Sequence, residues 1–413
     1  MNGPQRIRRR LGQRSASVVS LACPRSDAES DLEATIPTAP ALTLLLQAAS
    51  QNRTDLPLAD FRAEQIRWAV ETGLGPLLRR STANDPKART SPLWPLVQGA
   101  DVTARVIVGE QMDAMDEILR ACEGQTQPLT LLKGISICGQ YYPEPHLRLM
   151  RDIDVLVDQE TIPTVESLLL QLGYRRDSEC SPEFYDMHHH VTPLFHPRRR
   201  VWVEIHRGLF PANSGLGSAS VFSLENLRAE FRPSEFRGRP VNCLGNEMQV
   251  VYLASHWTFG FRRVGGMVGM LDLIYLLKNA RALRWERILD WLEGSIASTS
   301  VYLLLTYLIR HRLVDIAPEI LRELFLRQRS FGRLNLKTLH ALIDRYVADG
   351  REFGQLVSAR NFDILWRTLL APGPPSRNVL LLLWNLLPSR VWFMRPVTGY
   401  AGKSVTKTPE KLG

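Results

Sequence analysis

Two carboxylates one residue apart, inside an otherwise aliphatic run, constrain this chain more than any other feature. In Arg151-Asp152-Ile153-Asp154-Val155-Leu156-Val157, the side chains of Ile153, Val155 and Val157 recur with a period of two. That is the pattern of a half-buried strand. The pleat turns Asp152 and Asp154 onto the opposite face, with Cα atoms roughly 6–7 Å apart. Acids so placed suit a pair of divalent ions about 3.5–4 Å apart, an arrangement that serves in-line phosphoryl chemistry. Plain solvated strand faces carry the same spacing, so the flanking residues have to decide.

Upstream, Leu129 to Leu132 reads as a buried strand that ends at Lys133-Gly134, where a short helix from Ile135 to Tyr142 begins. A strand turning through glycine into a helix offers N–H groups and a positive helix end to an anion. Lys133 adds a point charge. The alternative is a glycine that serves the turn alone. Pro143 to Leu149 form a loop that carries His146 and Arg148 toward the paired acids.

Downstream, Thr161 to Leu172 has an amphipathic helical pattern stopped by Gly173, and Tyr174 to Asp177 starts another strand. Residues 189–196 and 201–206 form a hairpin around Pro197-Arg198-Arg199-Arg200. In its second arm Val201, Val203 and Ile205 alternate with Trp202, Glu204 and His206, so Glu204 leaves the aliphatic face. If this strand lies beside residues 152–157 with matching faces, Glu204 becomes a third carboxylate next to Asp152 and Asp154. His206 shares that face and either orients Glu204 or touches substrate. His188, His189, His190 and His196 raise the question of zinc, but strand and loop spacing without cysteines argues against it.

At 413 residues the chain can bury a sizeable core. The net charge of +9 suggests nucleic acid, but five arginines between Arg6 and Arg14 supply much of it. Lys403, Lys407 and Lys411 add more in the tail, which leaves the body near neutral. The five cysteines are scattered, with no C-x-x-C pair, which fits a reducing compartment. No run reaches the roughly 18–20 apolar residues of a membrane span, and the expectation is a cytoplasmic protein.

The expected organisation is a disordered basic arm (1–30), an N-terminal helical unit (31–125), an α/β core (126–245), a C-terminal helical domain (246–370), and a short apolar helix with a basic tail (371–413). In the N-terminal unit, Val102, Val106, Met112, Met115, Ile118 and Leu119 mark one face of a long helix. His256 and Asp272 either line a cleft between the helices or form an internal pair.

In order and spacing, Leu132-Lys133-Gly134, Arg148, Arg151–Val157, Gly173-Tyr174 and Val203-Glu204-Ile205-His206 resemble the bacterial uncharacterised nucleotidyltransferase family, a divergent branch of the DNA-polymerase-β-like superfamily. Trp68, Gly73–Leu78, Ala254-Ser255-His256 and Leu271-Asp272-Leu273 resemble it too, so the likeness spans approximately residues 40–310. The resemblance implies an α+β fold: a nucleotidyltransferase-like mixed sheet with flanking helices, set between N-terminal and C-terminal helical units. It also implies Mg²⁺ (or Mn²⁺) and transfer of a nucleoside monophosphate from a nucleoside triphosphate to a hydroxyl of a peptide, sugar or metabolite. The acid triad would be Asp152, Asp154 and Glu204, with Asp152 and Asp154 holding both ions. Glu204 would bind the ion that activates the acceptor, or take its proton. The phosphate-binding turn would be Lys133-Gly134 with Ser136. Arg148 and Arg151 would neutralise phosphates or pair with nearby acids. Better-known members of the superfamily carry Gly-Ser at this turn, where this chain has Lys-Gly. Two other readings stay open: a non-catalytic nucleotide or partner binder, and a helical interaction protein whose C-terminal apolar helix and basic ends dock on a membrane or a biosynthetic complex.

Overall fold

The computed structural model describes residues 41–176, 185–186, 188–260, 266–280, 282–328, 333–349 and 359–370. The basic arm and the 371–413 tail lie outside these residues, as do Cys23 and Cys180. Cys122, Cys138 and Cys243 are buried free thiols.

The N-terminal part is helical: α1 (Ala41–Gln51), α2 (Ala63–Glu71), α3 (Gly75–Ser81) and the long α4 (Trp94–Cys122). Pro95 opens α4, where the missing N–H costs nothing. The buried stripe of α4 runs through Val97, Ala104, Val108, Gln111, Met115, Ile118 and Leu119. Val102 and Val106 were expected on this face, yet they are 53% and 62% exposed. Small Ala104 takes the inward position between them, so spacing alone misplaced the first turns of the stripe.

Then come β1 (Thr130–Leu132), α5 (Lys133–Ile137), β2 (Ile153–Leu156), α6 (Ile162–Gln171), β3 (Arg175–Arg176), β4 (Leu194–His196) and β5 (Val201–His206). Short α7 (Leu224–Ala229) leads into the hairpin β6 (Phe231–Phe236) and β7 (Arg239–Leu244). Gly173, at φ +97°, ends the α6 segment as expected. The seven strands form one mixed sheet in the order β3-β4-β5-β2-β1-β7-β6. β2 and β5 run parallel, as do β1 and β7, and the other neighbours are antiparallel.

Seven further helices complete the described chain: α8 (Asn246–Gly260), α9 (Gly266–Asn279), α10 (Trp285–Leu292), α11 (Ala297–Arg310), α12 (Pro318–Arg327), α13 (Arg333–Asp349) and α14 (Ala359–Leu370). No helix among the described residues is long and apolar enough to cross a membrane.

The sheet divides two cores. On one face Ile153, Val155, Val203 and Ile205, all 0% exposed, pack with Val165 and Leu169 of α6 and with Met115 and Ile118 of α4. Each such side chain contributes about 1.5–3 kcal/mol through burial. Leu132 and Leu156 belong to the other core, which α1, α3, α8, α9 and α11 share. The N-terminal and C-terminal helices therefore meet in one apolar mass on the face that carries the acids.

Candidate active site

Strands β2 and β5 bring the acids together through register. Ile153 pairs with Val203, Asp154 with Glu204, Val155 with Ile205 and Leu156 with His206. Because side chains alternate, burying the aliphatic set on one face forces Asp154, Glu204 and His206 onto the other. Asp152 sits in the bend just before β2. The neighbouring β1 pairs Leu132 with Asp154, so the next residue, Lys133, emerges beside that carboxylate.

Lys133 turns the chain out of β1 with a φ of +46°, an unusual conformation for a residue with a Cβ. Gly134 answers a different demand. A Cβ there would lie 2.6 Å from Met150 Cγ and 2.9 Å from its Sδ, so any larger residue would force the Met150 side chain to shift.

Lys133 Nζ donates to Asp154 Oδ1 at 2.7 Å, and His206 Nε2 meets the same oxygen at 2.7 Å. Glu204 Oε2 lies 3.5 Å from that imidazole nitrogen. The other ring nitrogen, Nδ1, faces the Gly208 carbonyl at 3.3 Å. Carbonyl and carboxylate oxygens only accept, so both nitrogens of His206 carry protons in this arrangement. Its pKa moves accordingly. Burial pulls it down, but the bonds to Asp154 and Glu204 outweigh burial and raise it.

The three carboxylates do not share one fate. Burial, with the charges of Asp154 and Glu204 added, pushes Asp152 up to about 7. Burial opposes ionisation of Asp154 too, but the Lys133 ammonium and His206 hold it well below the carboxylate range. Glu204 is held at about 2, burial being overcome by His206 and His190. Lys133 is raised far above its ordinary value, because Asp154 outweighs the penalty of burying the ammonium. Two carboxylates are thus ionised against two cations, and the third titrates near neutrality. Oxygen or nitrogen atoms of Asp154, Glu204 and His206 lie within 4.8 Å of one another, close enough to hold one metal ion.

These groups form one end of a cleft of about 490 Å³. Apolar side chains line it too, among them Leu209, Phe210, Leu253, Trp257, Met267 and Val268.

A family model described as uncharacterised nucleotidyltransferase matches residues 63–328, well over half of the chain. The chain belongs to this nucleotidyltransferase family. No curated protein matches it.

The residues expected from the sequence fare unequally. Lys133, Gly134, Arg148, Arg151, Asp152, Asp154 and Glu204 all line the cleft. Arg151 is exposed. Arg148 is committed elsewhere: Nε and Nη2 donate to the two oxygens of Asp272 at 2.7 and 2.9 Å, and Nη1 donates to the Leu149 carbonyl at 2.8 Å. Tyr142 donates its hydroxyl to Asp272 Oδ1 at 2.6 Å. Of the two readings for Arg148, the structure therefore has the ion pair. Asp272 finds its partners in Arg148 and Tyr142, while His256 packs against the rings of Tyr252 and Phe210. Ser136 does not join the cleft lining. It is 5% exposed, and its hydroxyl accepts from Gln140 Nε2 at 3.0 Å. His189, His190 and His256 line the cleft as well.

Proposed function

We propose that this chain is a metal-dependent enzyme that moves a nucleoside monophosphate from a nucleoside triphosphate to a hydroxyl acceptor. The observation that carries the reading is the register of β2 and β5, which sets Asp154 and Glu204 side by side in a cleft that Lys133 and Arg151 also line.

Hard carboxylate oxygens are the donors Mg²⁺ and Mn²⁺ prefer, so the donor set fits such an ion. Asp154 and Glu204 would hold it, with Asp152 beside them. A bound divalent ion would offset the charge of the triphosphate and of the acids that face it. His206 positions both carboxylates from below. Lys133 and Arg151 supply positive charge to the phosphate groups, and the Arg148–Asp272 pair fixes the loop that leads into Asp152. The apolar lining suits the flat face of a nucleobase.

In this reading the acceptor oxygen attacks the α-phosphorus, the bond to the bridging oxygen breaks, and pyrophosphate leaves. The acceptor's proton needs a base, and Glu204 either takes that proton or binds the ion that activates the acceptor.

Calorimetry tests the reading. Mg²⁺ together with a nucleoside triphosphate should raise the melting temperature, as linkage requires. The rise should vanish in Asp154→Asn and Glu204→Gln. A rise that survives both substitutions would place the nucleotide elsewhere.

A further inference from the structure

Nucleotidyl transfer leaves three consecutive imidazoles without a task, and two of them, His189 and His190, line the cleft. The ligand atoms of His188, His189 and His190 lie within 4.8 Å of one another. Their backbone is pinned to β5. His190 bridges to His206, Val191 N donates to Ile205 O at 3.0 Å, and Arg207 N donates to His189 O at 2.8 Å. The rings are thus carried by a strand end rather than by a free loop, which is what a preorganised site needs.

Their hydrogen bonding is suggestive in detail. His190 Nδ1 lies 2.8 Å from the Val191 carbonyl, an atom that only accepts. The ring proton of the neutral form must then sit on Nδ1, and Nε2 keeps its lone pair. That lone pair faces Glu204 Oε2 at 3.9 Å. Either a proton on Nε2 or a cation between the two atoms makes that approach favourable, and only the cation leaves the imidazole neutral. His189 Nδ1 is buried and has no hydrogen-bond partner. A backbone carbonyl that fixes the tautomer of an imidazole is the usual outer support of a metal-binding histidine. Ligating imidazoles must be neutral.

We infer that His188, His189 and His190 bind a divalent transition ion of the zinc class, with Glu204 as the adjoining carboxylate ligand. Imidazole nitrogens favour such ions over Mg²⁺, which takes oxygen. The cleft would then hold two chemically distinct cation sites that meet at Glu204. The zinc-class site shares only Glu204 with the magnesium reading, and its three imidazole donors stand whether or not nucleotide transfer does.

The test uses the untagged full chain, stripped of metal and titrated with Zn²⁺ in excess Mg²⁺. One zinc per chain is expected, and Co²⁺ should give visible absorption bands at the same stoichiometry. His188→Ala and His189→Ala should each weaken zinc binding by at least about 10- to 100-fold, the range that even outer partners of metal ligands produce. Asp154→Asn should retain the zinc. No zinc uptake over Mg²⁺, or affinity equal to the parent in both histidine variants, overturns the inference. The unsubstituted protein supplies a readout that does not depend on variants folding. Zinc should shield residues 188–190 from histidine acylation measured by mass spectrometry, and equal labelling with and without zinc also overturns it.

Discussion

Replacing Lys133 with methionine isolates the charge logic of the site. The Lys133 and Asp154 side chains are 12% and 3% exposed. Removing one partner from a buried ion pair costs about 3–5 kcal/mol, because the other charge stays desolvated. His206 remains on Asp154 Oδ1, which argues for the lower end, about 3 kcal/mol. Methionine keeps the length of the side chain and the same cost of a positive φ, so backbone strain cancels from the comparison. For a unit of this size each kcal/mol shifts the melting temperature by about 2 °C, so Lys133→Met should melt about 6 °C lower in chelator. Adding Mg²⁺ should narrow that gap, since the ion takes over a carboxylate for which Lys133 otherwise competes. Differential scanning calorimetry with and without Mg²⁺ measures both quantities. A variant that melts with the parent in chelator, or a gap indifferent to Mg²⁺, would refute the reasoning.

Asp272→Asn strands the Arg148 guanidinium, 13% exposed in its side chain, and should cost about 3–5 kcal/mol of stability while sparing the shift caused by Mg²⁺ and nucleotide. Intact stability with a lost nucleotide shift would instead make Arg148 a phosphate ligand. Acid should weaken the fold through two imidazoles. Burial holds His256 at about 3 and His340 at about 4, so below their ordinary 6.5 the unfolded chain binds protons that the folded chain refuses. Stability should therefore fall from pH 6.5 toward 4, by up to about 1.4 kcal/mol per pH unit for each group. His340→Gln should flatten part of that slope in melts taken at successive pH values, and an unchanged slope would exonerate His340.

The parts of the site that follow from strand periodicity were legible in the sequence. Alternation in 151–157 and 201–206 assigns each acid to a face, and parallel pairing of Asp154 with Glu204 meets the condition those faces implied. The Lys133-Gly134 turn was legible too, although its reason was not. Gly134 packs against Met150, sixteen residues on, and nothing local announces that contact. Long-range partners were hidden for the same cause: Arg148 and Asp272 are 124 residues apart. The β6–β7 hairpin escaped notice because its turn is Arg237-Gly238, both at positive φ, where Asn-Gly or Asp-Gly is the usual signal. Spacing rules drawn from zinc fingers spoke against the histidine cluster. They say nothing of three adjacent residues folded around a strand end.

The central claim is that Asp154 and Glu204 serve nucleotidyl transfer. Its most direct test incubates the protein, Mg²⁺ and an extract of the cells that make it with ATP, GTP, CTP or UTP labelled at the α-phosphate. Label should move from at least one triphosphate onto an acceptor, and Asp154→Asn and Glu204→Gln, folded as judged by their melts, should abolish that transfer. Transfer undiminished in both variants, or none from any of the four nucleotides with the folded parent, would contradict the account.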